Sequence, residues 1–199
     1  TASLVANSSG TNNTALGTYA LYTNSTANNN TAVGKSALQL NTTGADNTAV
    51  GANALDAVTT GSRNVGLGKD AGQSITTASD NIAIGSASLN TNSTGANNVA
   101  IGRVALMSNT TASNNTAVGY AALQLNTTGT QNTAIGTYSL DASDTANNNT
   151  AVGYNALTDN TSGDLNTAVG SECLANNTTG VRNVGIGQNA LNVNTSVII

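Results

Sequence analysis

The chain has no proline, histidine, tryptophan or phenylalanine, and only one cysteine and one methionine in 199 residues. Charged residues make up 7% and aromatics 3%, so each shortage removes a class of protein. Without histidine there is no Ser-His-Asp arrangement and no ordinary zinc site. The lone Cys173 excludes an internal disulfide framework. The few Lys and Arg residues are scattered and the net charge is -4, which lacks the clustered basic footprint of a nucleic-acid binder. No apolar run approaches the roughly 20 residues of a membrane helix. Asp70 and Asp80 carry no calcium-loop pattern around them. Gly66-Leu67-Gly68-Lys69 is a variant of the repeat described below, not a phosphate loop. No enzymatic activity, cofactor or metal is expected.

What is present is repetition. Asn149-Thr150-Ala151-Val152-Gly153 returns as Asn115 to Gly119 and as Asn47 to Gly51. The closing glycines are Gly17, Gly34, Gly51, Gly68, Gly85, Gly102, Gly119, Gly136, Gly153, Gly170 and Gly187, each 17 residues after the last, without insertion. A disordered chain has no reason to keep such register, so the period points to one repeat array over residues 1–199. The chain starts in mid-pattern and no signal peptide opens it. It therefore reads as a fragment or processed piece of a longer chain, with Val197-Ile198-Ile199 where the fragment stops.

With that glycine as slot zero, the consensus is G-x-x-A-L-x-x-N-T-T-G-x-x-N-T-A-V. No charge enters slots 13 to 16, zero, 3, 4, 7, 9 or 10. Burying an unpaired charge costs several kcal/mol, so these slots are expected to be inside or tightly paired. Slot 16 is always Val, Ile or Leu, slot 4 is Leu except at Gly72, and slots 3 and 15 are small. Cys173 occupies slot 3, which reads as a packed small residue. N-T-A-V reads as a short strand with slots 14 and 16 pointing one way and 13 and 15 the other. A second extended piece is expected over slots 2 to 5. N-T-T-G and the slot-zero glycine are turns. A glycine kept in every copy suggests positive φ or close backbone approach. Slot 10 accepts Ala27, Ala78, Ala112 and Ala146, so its demand is weaker. Two glycines and an Asn-Thr cluster per repeat would break a helix.

A 17-residue unit of this kind is one coil of an all-β, parallel β-solenoid, a β-roll of about twelve coils. Stacked coils place each slot above its own copy, about 4.8 Å apart. Slot 13 then becomes an Asn ladder: Asn13, Asn30, Asn47, Asn64, Asn81, Asn98, Asn115, Asn132, Asn149, Asn166 and Asn183. Such amides can donate and accept from coil to coil. Slot 7 is a second ladder, interrupted by Val58, Ile75 and Ser143. One Leu and one Val or Ile per coil barely offset the cost of ordering 17 residues. One side of the N-T-A-V strand can fill the coil interior, and the other is then free to meet another chain. A parallel homotrimer around a common axis satisfies this economically.

The strand motif resembles the A-I-G-type repeats in the heads of YadA-like trimeric autotransporter adhesins. Asn81-Ile82-Ala83-Ile84-Gly85 and Asn98-Val99-Ala100-Ile101-Gly102 carry it best. The longer unit, in Asn115 to Gly129 and Asn149 to Gly163, is similar to repeats of bacteriophage tail-fibre-like proteins. The resemblance implies a trimeric fibre at a bacterial surface or on a virion, and it is the main ground for three chains instead of two. The period here is longer than the adhesin head repeat.

The leading expectation is a structural shaft segment of an extracellular or virion fibre, giving length and stiffness. The alternative is an adhesive head that binds a cell-surface glycan or protein. Clustered Tyr or charge on adjacent coils would favour adhesion, and the scatter of Tyr19, Tyr22, Tyr120, Tyr138 and Tyr154 leans to the shaft. A remote third reading is an ice-binding Thr ladder at slots 8 and 9. No partner other than the chain itself or such a surface is expected: no nucleic acid and no membrane insertion. The many Asn-x-Thr sequons follow from the repeat itself.

Overall fold

The computed structural model describes residues 2–192, so Val197-Ile198-Ile199 lie outside the described residues. Every N-T-A-V motif forms one strand of three residues, from β1 (Thr14–Leu16) to β11 (Val184–Ile186). The strands stack in chain order into one eleven-stranded parallel sheet. Register is strictly slot on slot, for example Thr116↔Thr133, Ala117↔Ala134 and Val118↔Ile135. The chain is a β-solenoid of about ten turns with the expected period, and no helix occurs among the described residues.

The pleat decides what goes inside. The middle residue of each strand, slot 15, is fully buried from Ala32 to Ala168, while slots 14 and 16 are half-buried or exposed. Slot 3 (Ala37, Ala54, Ala105) and the slot-4 leucines complete the apolar core, with Leu21, Leu38, Leu55, Leu106 and Leu157 at zero exposure. The slot-7 and slot-13 asparagines line the rest of the interior.

The second extended piece is not there. Slots 2 to 5 form a turn, because slots 2 and 4 both take the left-handed backbone conformation, as at Tyr138 (φ 55°) and Leu140 (φ 52°). Alternating left-handed residues bend the chain back over the core, which two straight segments would leave open. The arc still bonds coil to coil. Leu140 N–H donates to the Ala156 carbonyl at 2.9 Å, and Tyr138 N–H donates backwards to the Tyr120 carbonyl at 3.0 Å. Left-handed residues of this kind cost roughly 1–2 kcal/mol each. At slot 4 the return is a fully buried Leu in almost every coil.

The expectation that charge-free slots lie inside or are tightly paired holds for all but slot 9, though pairing and burial part company at slot 16. Slots 3, 4, 7, 10, 13 and 15 are interior, but slot 9 is exposed, as at Thr26 and Thr43, and slot 16 faces outward. An outward slot can exclude charge for a reason other than burial within its own chain.

Candidate functional site: ladders and outward faces

The slot-13 asparagines are buried and bonded at both ends of the amide. From Asn13 to Asn166, each Oδ1 accepts the backbone N–H of the next Asn, as from Asn47 to Asn30 and from Asn115 to Asn98, at 2.9 and 3.0 Å. Over the same range each Nδ2 donates across the coil boundary to a slot-10 carbonyl, as Asn30 to Gly44 and Asn149 to Gly163, both at 2.9 Å. The pattern includes Asn13, which donates to Ala27 at 2.7 Å, and Asn166, which donates to Gly180 at 2.7 Å. One side chain thus satisfies two buried backbone groups of the next coil, a donor and an acceptor, which is what a narrow polar wall needs.

The slot-7 ladder works differently. Its Nδ2 groups donate to the previous Asn and to the slot-10 carbonyl three residues on, as Asn109 does to Asn92 (2.8 Å) and Ala112 (3.0 Å). Where Val58 and Ser143 interrupt it, the preceding Asn41 and Asn126 each keep a buried Oδ1 without a hydrogen-bond partner, and so does the Ser143 hydroxyl. Restoring the missing amide should repair this. Ser143→Asn is expected to donate to Asn126 and to the Ala146 carbonyl, stabilising the fold by about 1–2 kcal/mol. Urea denaturation checks it, and a lowered midpoint would show that the ladder cannot accept the side chain there.

Asp56 also keeps a buried oxygen without a partner, and burial pushes its carboxyl above the usual range. A raised folded-state pKa means that the folded chain binds the proton more tightly, so stability falls as pH rises through that window. Asp56→Asn is therefore expected to stabilise the chain at neutral pH and to lose that advantage at about pH 3, where both states are protonated. Paired denaturation curves at the two pH values measure this. Asp141, in the same slot, is raised by the same cause, partly opposed by its Thr158 hydrogen bond.

The slot-zero glycines carry φ between 117° and 140°, a range that side chains rarely adopt. From Gly17 to Gly170, a Cβ would also lie within 2.3 to 2.9 Å of the next coil's glycine carbonyl oxygen. At slot 10 the constraint is contact alone: a Cβ on Gly44 would lie 2.1 Å from the Gly61 oxygen, with φ unremarkable. Alanine at slot 10 is always followed by glycine in the next coil, as Ala27 by Gly44 and Ala112 by Gly129.

Two outward features remain. The first is the slot-16 column. It runs unbroken from Leu16 to Ile186 on one face of the sheet, all branched aliphatics, with Val50 at 39% and Ile135 at 40% exposure well inside the rod. The second lies at slots 1 and 2. Three of the five tyrosines gather there on successive coils, so the even scatter expected from the sequence does not hold. Tyr120 and Tyr138 meet edge to face with ring centroids 5.3 Å apart. The Arg103 guanidinium sits 5.8 Å from the centre of the Tyr120 ring. The neighbouring phenols, Tyr120 first, push the Tyr138 phenol above its usual range.

The Thr ladder proposed at slots 8 and 9 is split. Slot-8 hydroxyls are spent on the next coil, as Thr42 on the Thr59 carbonyl at 2.9 Å, and only slot 9 stands free on the surface. Exposed charges pair locally: Arg63 holds Asp80 in a two-pronged contact at 2.6 and 2.9 Å, which keeps the Asp80 carboxyl below its usual range. The described residues enclose no pocket and no cluster of three or more Cys, Asp or Glu suited to a metal ion. No described helix is long and apolar enough to cross a membrane. Set against known protein families, curated proteins and solved structures, the chain matches none, so its function has to be argued from these faces.

Proposed function

We propose that the chain is a structural shaft segment of an extracellular or virion fibre, in which copies of the chain stand side by side as a homotrimer. The observation that carries this reading is the slot-16 column. An outward face of eleven aliphatic residues, free of charge in every coil, is the kind of surface that a soluble rod covers. A second copy fits it better than an unrelated partner would, because its own column has the same rise at every step. Ten coil-to-coil steps make the column about 48 Å long. Three copies around a common axis would close the faces against one another. A filled interior and bonding at every coil boundary supply stiffness, and the resemblance to tail-fibre-like repeats agrees with that use.

The test follows from the pleat. Val118 and Val152 point away from the core, so Val118→Lys with Val152→Lys should leave the far-ultraviolet dichroism unchanged. The same pair should convert a trimer into monomers by light scattering. A wild-type chain that is monomeric at all accessible concentrations would sink the seam. The ice-binding reading is left with a single free hydroxyl column, and absence of thermal hysteresis would remove it.

A further inference from the structure

The tyrosine cluster is not explained by the shaft. Arg103, Tyr120, Tyr138, Tyr154 and Glu172 occupy slots 1, 1, 2, 1 and 2 of five successive coils. The backbone sets them side by side: Tyr138 N–H donates to the Tyr120 carbonyl at 3.0 Å, and Glu172 N–H to the Tyr154 carbonyl at 2.8 Å. The three rings stay exposed, Tyr154 by half. No other coil-to-coil run in the chain has aromatics on three successive coils; Tyr19 and Tyr22 share one coil.

We infer that this strip is a binding platform for an extended, neutral, β-1,4-linked polysaccharide lying along the rod axis. Four observations select that partner. First, the surface is open and without a pocket, which suits the broad face of a chain and not an anchoring side chain. Second, tyrosine offers an apolar ring to the C–H face of a pyranose and a hydroxyl to its edge. Third, the rings follow one another on three successive coils, alternating between slots 1 and 2, and Tyr120 and Tyr138 stand edge to face, so the strip offers ring faces and edges in turn along the rod axis, which suits an extended glycan better than a branched one. Fourth, the strip carries one positive group at one end, Arg103, and one negative group at the other, Glu172. It therefore has no net charge with which to select a polyanion. The Arg103 Nη1 already donates to the Tyr120 hydroxyl at 3.4 Å, a long bond that holds the first ring without removing it from solvent. This inference concerns different columns from the proposed seam and does not depend on it.

The chain contains five tyrosines and no tryptophan, so its intrinsic emission comes from tyrosine alone, and three of the five are in the strip. Titration of the whole chain with cellohexaose, followed by tyrosine fluorescence and by calorimetry, tests the inference. Saturable binding is expected, tighter than for cellobiose, and at least tenfold weaker in Tyr138→Ala and in Tyr154→Ala. Tyr19→Ala should leave it unchanged. The mass of each variant by light scattering should equal that of the wild type, which separates failure here from failure of the seam. No saturable change with cellohexaose would overturn the inference, as would equal loss in Tyr19→Ala or tighter binding of oligogalacturonate than of cellohexaose.

Discussion

Gly119→Ala is expected to destabilise the rod by about 3 kcal/mol or more, a large effect for one added methyl group. Two costs add. The backbone at Gly119 has φ of 140°, where a side chain is strained whatever the space around it. The new Cβ would also lie 2.5 Å from the Gly136 carbonyl oxygen, and that atom is backbone in a paired coil, so it cannot swing aside. Gly187 separates the two costs. Its φ is 117°, yet no heavy atom of the described residues lies within 4 Å of its Cβ position. Gly187→Ala should therefore show the conformational cost alone. Urea denaturation of the two variants measures the difference, and equal losses would mean that close approach contributes nothing.

The second large effect is a compensation. Gly72 stands where the other coils carry a buried Leu, and three residues later Ile75 stands where most carry Asn. A Cβ on Gly72 would meet Leu55 Cδ2 at 2.7 Å and Ile75 Cδ1 at 3.0 Å, so these two side chains occupy the space that the missing Leu vacates. Leu55 also leans toward Gly66, whose Cβ position is 2.7 Å from Leu55 Cγ. Gly72→Leu alone should overfill this site and cost about 1–3 kcal/mol. Ile75→Asn alone should leave a void beside Gly72 and cost about 2–4 kcal/mol. Together they rebuild the consensus coil, with the new amide aimed at the Ala78 carbonyl and Leu55 free to swing back. The pair should then be less destabilised than the sum by about 2 kcal/mol, a coupling that a double-mutant cycle reads directly. Additive losses would show that the two positions do not share one space.

A smaller exchange of the same type joins Cys173 to Gly185. A Cβ on Gly185 would lie 2.6 Å from the Cys173 Sγ. The thiol, larger than the alanine methyl usual in slot 3, fits because slot 15 of the same coil is glycine. The sequence marks Cys173 as a small packed residue but gives no reason to connect it with a glycine twelve positions on.

These pairs mark the limit of reading by slot. The strand, its inward residue and the parallel stacking were legible because they depend on period: a register of 17 without insertion puts like on like, and alternation in N-T-A-V follows from strand geometry. The arc over slots 2 to 5 was not legible. Its signature is a left-handed Leu, and leucine carries no sequence signal for that conformation, whereas Asn and Asp, frequent at slot 12, do. The outward position of slot 16 was equally hidden. An aliphatic residue without exception looks like core, and only the pleat shows that Ala, not Val, faces the interior.

The tyrosine strip was missed for a different reason. Tyr120, Tyr138 and Tyr154 lie 18 and 16 residues apart and change slot between coils, so they look scattered in sequence. In space, slot 2 of one coil bonds to slot 1 of the coil before, which brings Tyr138 beside Tyr120. The sequence by itself determined the period, the parallel register and the absence of any histidine-based chemistry. These follow from composition and repetition, which are properties of the chain. Only the tertiary structure decided which aliphatic column faces out, which cavities neighbouring coils fill for one another, and which rings meet. Those depend on how each coil closes, and closure is set by backbone dihedrals and contacts that recur across coils, not along the chain.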